Sequence, residues 1–342
     1  MFRHLFLSTE RHTMTIQNDI YKKEIVKQLE PFVATTLEKY QSEIKDYWQP
    51  SDYLPDFSKE NWVEEVNALQ SEASGLSDKL IAVIVGDMIT EEALPNYQSW
   101  LNRYSYIKDE TGVSDNPWAQ WIRGWTAEEN RHGDLLAGYL NMSGRVDMKA
   151  VNQSVHSLLK NGFDTLTGSD PYAGMIYTSF QERATKVSHR NTGIIAGKQG
   201  AKNLQKICAI ICADEKRHEE VYQSVTKELL SVDPNGIMIT LEKMLKATIV
   251  MPAKNVEDGF GNALFDDFSA IAQEIEVYTA KDYTDILEYL LKLWDIGSVT
   301  GLNAEASKAQ DFICKLPARY EKLAKRFNSK PQSVKIPWIT SI

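Results

Sequence analysis

Cysteine is scarce. Only Cys208, Cys212 and Cys314 occur in 342 residues, and no two of them form a C-x-x-C. An odd count without paired spacing offers no disulfide framework and no thiolate zinc or redox site, and it suits a reducing compartment. Cys208 and Cys212 lie one helical turn apart and are expected as small core residues. Long apolar runs are missing too: none approaches the ~20 residues of a membrane span. Sustained period-two alternation is absent, which removes the signal for strands. Low-complexity segments are absent. Positive charge is in deficit, with 38 basic against 47 acidic residues and a net charge of −9. That balance argues against generic nucleic-acid binding. The opening MFRHLFLSTERHTM has Arg3 and Arg11 but no secretory h-region or cleavage signature. It is short for an organelle transit sequence, Met14 could be an alternative start, and 1–16 is expected as a frayed tail.

What is present is helical periodicity. Hydrophobic residues make up 43% and charged residues 25%, ordinary for a soluble globular protein. Helices are expected over 18–48 (interrupted near Pro31), from an N-cap at Ser58, and over 77–104 with a kink or end at Pro95. Further ones are expected over 118–140, from 143–147 to about 161, over 174–190 and over 204–230. The rest fall at about 237–250, 263–280, 282–294 and 304–327. The segments 48–56, 109–117 and 163–172 read as loops, and 191–200 as a glycine-punctuated break. The pattern predicts a single all-α domain over 1–342, with 328–342 as a C-terminal extension.

Two of these helices carry polar residues on their apolar faces. In WAQWIRGWTAEENRHGDLLAGYL, Ile122, Trp125, Glu129, His132 and Leu136 share one side. In the later helix the same side carries Cys208, Ile211, Glu215, His218 and Tyr222. A buried carboxylate is costly unless it is paired or bound to metal. Acid–His spacing by itself is a weak signal: with six histidines, two such pairs arise by chance about one time in five. Two core-facing His–Glu pairs that satisfy each other would give the same spacing. The matching stripes strengthen the signal, because a Glu-x-x-His on each of two helices is part of a di-iron carboxylate bundle. Glu128 and Asp214 also precede the histidines by one turn, so spacing leaves the ligand carboxylates ambiguous.

Two lone carboxylates complete the set. Glu91 ends a stripe of Leu80, Ile84 and Met88, and Glu182 lies near Thr178, Ser179 and Thr185. Glu91 precedes Glu129 by 38 residues and Glu182 precedes Glu215 by 33, a weak internal duplication that predicts a pseudo-twofold set of four helices. Four carboxylates and two neutral imidazoles balance two ferrous ions, and mixed oxygen and nitrogen ligands suit iron or manganese better than structural zinc. His189 lacks a matching acid and is expected at the surface or behind a ligand.

At these residues the sequence resembles the soluble acyl-carrier-protein desaturases of plants and some bacteria. The strings WQPSDYLPD, GDMITEEALPNYQ, WIRGWTAEENRHGDLL, YTSFQERATKVSHRNT and ADEKRHEEVY carry the resemblance, which spans about Trp48 to Trp294. It implies a ferritin-like di-iron four-helix bundle extended by further helices. Glu91 and Glu182 would be terminal ligands, Glu129 and Glu215 would bridge two irons, and His132 and His218 would each bind one. Thr185 would stand beside the oxygen-binding side, while Asp214 and Trp48 would link a ligand histidine to the surface for electron delivery. The implied activity is insertion of a cis double bond into an acyl chain on acyl carrier protein, using dioxygen and electrons from ferredoxin. A homodimer in a bacterial cytoplasm would follow. Trp100, Arg103, Tyr104 and Thr165 depart from relatives around the acyl tunnel.

Alternatives fit less well. A ferritin-like iron store would be about half this length, and a rubrerythrin-like peroxidase would need a rubredoxin cysteine site. A ribonucleotide reductase small subunit would want a tyrosine where Leu136 stands. An acyl hydroxylase of the same fold differs only in product. For carrier docking, Lys216 and Arg217 are expected to point away from the metal towards the surface near the tunnel mouth. The segment 318–336, with a local net charge of +5, is the second candidate.

Overall fold

The computed structural model describes residues 20–326 and 336–339. The tail expected at 1–16 and most of the expected 328–342 extension lie outside them. Among the described residues there are helices and 3-10 turns, two isolated β-bridges and no strand. Helix α1 covers 20–28, followed by α2 (Glu30–Tyr40), α3 (Trp62–Ser74), α4 (Asp78–Glu92) and α5 (Leu94–Leu101). Then come α6 (Pro117–Ser143), α7 (Met148–Asn161), α8 (Pro171–Lys198) and α9 (Lys202–Val232). The chain ends with α10 (Pro234–Ala247), α11 (Phe265–Glu274), α12 (Ala280–Leu293), α13 (Ala304–Cys314) and α14 (Leu316–Ala324).

Local chemistry sets the starts of the central helices. Ser77 accepts from the Leu80 N–H to open α4, and Asn116 and Asp170 cap α6 and α8 just ahead of Pro117 and Pro171. A proline at the first helical position loses no intrahelical bond, and its φ is already helical. Gly144, at φ 68°, ends α6 in the left-handed region.

Two apolar clusters fix the direction of each helix. Along α6, Trp118–Trp125 belong to the first cluster and Leu135–Leu140 to the second. α8 runs the same way, from Tyr172 in the first cluster to Ala196 in the second. α4 and α9 run oppositely, from Leu80 and Leu204 in the second cluster towards Leu94 and Val221 in the first. α4 is therefore antiparallel to α6, and α8 to α9. The parallel pair α6 and α8 needs a crossover, which α7 supplies. One long crossover is the topology of ferritin-like bundles. Between the two apolar clusters lies one polar layer, at Glu91, Glu128–His132, Glu182 and Asp214–His218.

The structure corrects several boundaries. The expected 18–48 helix breaks at Leu29 and ends at Tyr40. Ser58 caps nothing; it bonds to Asp56 in a turn, and α3 starts four residues later at Trp62. The expected 304–327 helix is two helices, divided at Lys315 ahead of Pro317. The glycine-punctuated 191–200 break is confined to a short turn at 199–201, with Gly200 at positive φ: α8 continues to Lys198 and α9 begins at Lys202. Gly193 and Gly197 are contact points with α9. A Cβ on Gly193 would meet the Cys208 Cβ at 2.9 Å, and one on Gly197 would meet the Gln205 side chain at 2.6 Å.

Candidate metal centre

Four helices bring the six expected residues into one buried layer. Ligand atoms of Glu91, Glu129, His132 and Glu215 lie within 4.8 Å of one another, and so do those of Glu129, Glu182, Glu215 and His218. Glu129 and Glu215 belong to both groups. Glu91 comes from α4, Glu129 and His132 from α6, Glu182 from α8, and Glu215 and His218 from α9. All six are buried.

Each imidazole is held from behind by a carboxylate on the opposite helix. His132 Nε2 donates to Asp214 Oδ2 at 3.3 Å, and His218 Nε2 donates to Glu128 Oε2 at 3.1 Å. A carboxylate can only accept, so both rings carry their proton on Nε2 and turn Nδ1 towards the cluster. Both Nδ1 atoms and one Glu215 oxygen are buried without a hydrogen bond. His132 Nδ1 lies 3.3 Å from Glu129 and 3.2 Å from Glu215, and His218 Nδ1 lies 2.8 Å from Glu129, none in line for a hydrogen bond. Orphaned nitrogens converging with carboxylates fit a pair of cations: +4 from two divalent ions offsets −4 from four carboxylates.

Arg217 couples the two outer carboxylates, pairing with Glu128 at 2.8 Å and with Asp214. Trp48 Nε1 donates to Asp214 Oδ2 at 2.9 Å, and its ring stacks on His132 with 6.0 Å between centroids. Arg131 covers Trp48 and Tyr47. Glu91 accepts from His189 Nε2 at 3.0 Å, whereas Glu182 accepts from Trp125 Nε1 at 3.1 Å.

Burial pushes the Glu91 carboxyl up to about 7 and raises Glu182 and Glu215 as well. Glu129 behaves oppositely. Burial acts to raise it, but the charges of His132 and His218 hold it below the carboxylate range. Burial acts to lower both rings, yet the Glu129 charge for His132 and the Glu128 hydrogen bond for His218 lift them well above the usual imidazole value. Protons and carboxylates are thus packed together here, as expected where metal binding exchanges with protonation.

On the other side lies a cavity of about 200 Å³. Glu91, Glu129, Glu182 and Glu215 line it, together with Thr185 and apolar side chains including Tyr97, Trp100, Phe163, Tyr177 and Phe268. Neither histidine lines it. The cluster therefore presents carboxylates to the cavity and imidazoles to the Asp214, Trp48 and Arg217 side. Thr185 Oγ1 donates to the Gln181 carbonyl at 2.7 Å.

The spacing ambiguity resolves geometrically: Glu129 and Glu215 face the centre, while Glu128 and Asp214 stand behind the rings. Of the two places expected for His189, the structure shows the second: it is buried behind Glu91 and not at the surface. The docking expectation for Arg217 is corrected. It does not reach freely to solvent but closes over Glu128 and Asp214, on the face away from the cavity, because two buried carboxylates there need a cation. Lys216 alone is exposed. Cys208 is buried, as expected, and Cys212 half-buried. Trp125, Glu128 and Arg217 were not assigned to the site from sequence. Trp125 bonds to Glu182 and Glu128 to His218, each on another helix, and the Asp214–Arg217 spacing within α9 says nothing of the Glu128 that Arg217 also pairs with.

Comparison with known proteins identifies the family. Residues 21–340 match the family described as fatty acid desaturase. The chain is 48% identical to a chloroplastic acyl-(acyl-carrier-protein) desaturase of Cucumis sativus over 93% of this chain and 81% of the relative. It is 47% identical to the chloroplastic stearoyl-(acyl-carrier-protein) 9-desaturase of Olea europaea over 93% and 82%. The X-ray structure of DesA2 from Mycobacterium tuberculosis H37Rv shares the fold, with a TM-score of 0.53 at 16% identity, over 84% of this chain and 99% of that one. No helix among the described residues is long and apolar enough to cross a membrane. A family match across nearly the whole chain, with relatives close to half identical, places it: the chain belongs to the fatty acid desaturase family, among the acyl-(acyl-carrier-protein) desaturases.

Proposed function

We propose that this protein removes two hydrogens from a saturated acyl chain carried on acyl carrier protein, leaving a cis double bond. Dioxygen would be the oxidant and ferredoxin the source of two electrons. The balance closes: two hydrogens from the chain, two electrons, two protons and one dioxygen leave as two waters. The observation that carries the reading is the double Glu–His cluster opening by its carboxylates onto a buried, mostly apolar cavity. Glu91, Glu129, His132 and Glu215 would hold one iron, and Glu129, Glu182, Glu215 and His218 the other. Bound there, two irons would supply oxygen-activating chemistry that side chains lack.

The chain's own residues do the rest. The aromatic cavity wall would hold the acyl chain and exclude water from it. Thr185 places a hydroxyl on the cavity side, where it would steer protons. Trp48 and Asp214 join the half-buried surface to His132, a path for incoming electrons. The chain would work as one domain in a homodimer, in a compartment with acyl carrier protein and a soluble electron donor, such as a bacterial cytoplasm.

The test is turnover with iron-loaded protein, reduced ferredoxin, dioxygen and a series of acyl carriers, with mass spectrometry of the products. A chain lacking two hydrogens is expected; a hydroxylated or unchanged chain overturns the reading. In the same assay Thr185→Val should consume more oxygen per double bond, and unchanged coupling would reduce Thr185 to packing.

A further inference from the structure

The large cavity has a neighbour. A second cavity, of about 40 Å³, is lined by Thr165, Thr167, Ala173, Met244, Thr248 and Ile249 among others. It reaches the exterior at Leu166, Lys243 and Thr248, all of which are exposed. Tyr177 is common to both linings. We propose that the Tyr177 ring is the partition that limits how long an acyl chain the site accepts, with the second cavity as latent space behind it. This rests on the acyl-chain reading of the large cavity given above.

The partition is held from several directions. Tyr177 is 3% exposed on α8, five residues before Glu182. Its hydroxyl donates to the Val250 carbonyl at 2.8 Å. The Trp100 ring meets it edge-on with 5.3 Å between centroids, and Phe163 lies 6.5 Å away. Trp100 is fixed in turn, donating from Nε1 to Thr167 Oγ1 at 3.0 Å. Tyr104 and Thr165 also bond to Thr167, at 2.8 and 2.6 Å. This buried polar knot cannot open without leaving hydroxyls unsatisfied, so the wall cannot swing aside to admit a longer chain.

Removal of the ring should join the two spaces. A hydrocarbon tail would then pass Ala173, Met244 and Ile249 towards the exterior, so the upper length limit would relax rather than move by a fixed step. The stretch from the carboxylates to the α11 side of the large cavity, where the lining residue Ser269 is exposed, would be untouched. The double bond should therefore keep its distance from the thioester.

The experiment compares wild type, Tyr177→Phe and Tyr177→Ala on saturated acyl carriers, each two carbons longer than the last. Tyr177→Phe keeps the ring, and Val250 still accepts from Gln181, so its length preference should match wild type. Tyr177→Ala should raise kcat/KM for chains beyond the wild-type limit, relative to the preferred chain, by at least about tenfold, since one methylene in an apolar pocket is worth roughly 10–200-fold. Titration calorimetry without reductant gives a second readout: the longer carriers should bind Tyr177→Ala more tightly than wild type. If neither binding nor preference shifts in a folded Tyr177→Ala, or if Tyr177→Phe shifts equally, the partition is refuted. Absence of any wild-type desaturation would instead refute the activity and leave the binding comparison to judge the partition.

Discussion

Glu128 shows how a residue can bear on the proposed metal site without being one of its ligands. It fixes the tautomer of His218 and shares Arg217 with Asp214, its counterpart behind His132. Loss of a carboxylate behind a ligand histidine costs about 10–100-fold in metal affinity. Glu128→Gln should therefore fold and weaken iron binding by about that factor, read by titration against a chelator. His132→Ala with His218→Ala should fail to retain two irons per chain. If that double variant still holds two, the ligand assignment is wrong; if Glu128→Gln binds as wild type does, Glu128 only neutralises Arg217. At this scale the sequence was partly legible. Glu129, His132, Glu215 and His218 announce themselves by polar residues in apolar stripes on their own helices. Glu128 does not, because its partner His218 lies 90 residues away on another helix.

Among the elements, α8 and α9 show where sequence reading failed and why. Glycine in a helix interior costs up to about 1 kcal/mol in propensity, so glycines near 193 and 197 read as a break. Tertiary packing overrides that, since α9 passes so close that a side chain on Gly193 would collide with the Cys208 Cβ and one on Gly197 would displace the end of Gln205. Periodicity reports which face is apolar but not how near the neighbour comes. Gly193→Leu should therefore destabilise the protein by about 1–3 kcal/mol, the usual cost of overpacking, although leucine is the better helix former. Denaturant melts of the metal-free protein measure this. Equal or greater stability would mean that Gly193 was merely tolerated and that the helices can part. The same limit explains the misplaced caps. Asn61, not Ser58, precedes α3, and the WQPSDYLPD loop carries no signal saying which polar residue closes it.

At the scale of the whole molecule, charge poses the remaining problem. On the function proposed above, a chain of net charge −9 would meet an acyl carrier protein and a ferredoxin, both acidic by family expectation. Long-range repulsion slows such encounters unless positive charge is concentrated where they dock. Arg217 is unavailable, tied between Glu128 and Asp214. The flank of the cavity formed by α11 does not help, because Asp266, Asp267 and Glu274 all lie on that helix. The concentration that remains is α14 and the turn after it, where Arg319, Lys322, Lys325 and Arg326 are exposed and Lys325 pairs with Glu321 at 2.7 Å. Lys330 and Lys335 lie outside the described residues. Reversal of two exposed charges, Lys322→Glu with Arg326→Glu, should raise KM for the acyl carrier while leaving kcat at saturation unchanged. Exposed pairs are worth about 0.2–1 kcal/mol each, so a rise of about 2- to 25-fold is expected at low ionic strength. The difference should shrink as salt is added, because screening acts over ~10 Å at 0.1 M. A double variant that matches wild type at low salt would move the docking surface off α14. A lowered kcat with unchanged KM would instead mean that α14 supports the fold around α12 rather than the partner.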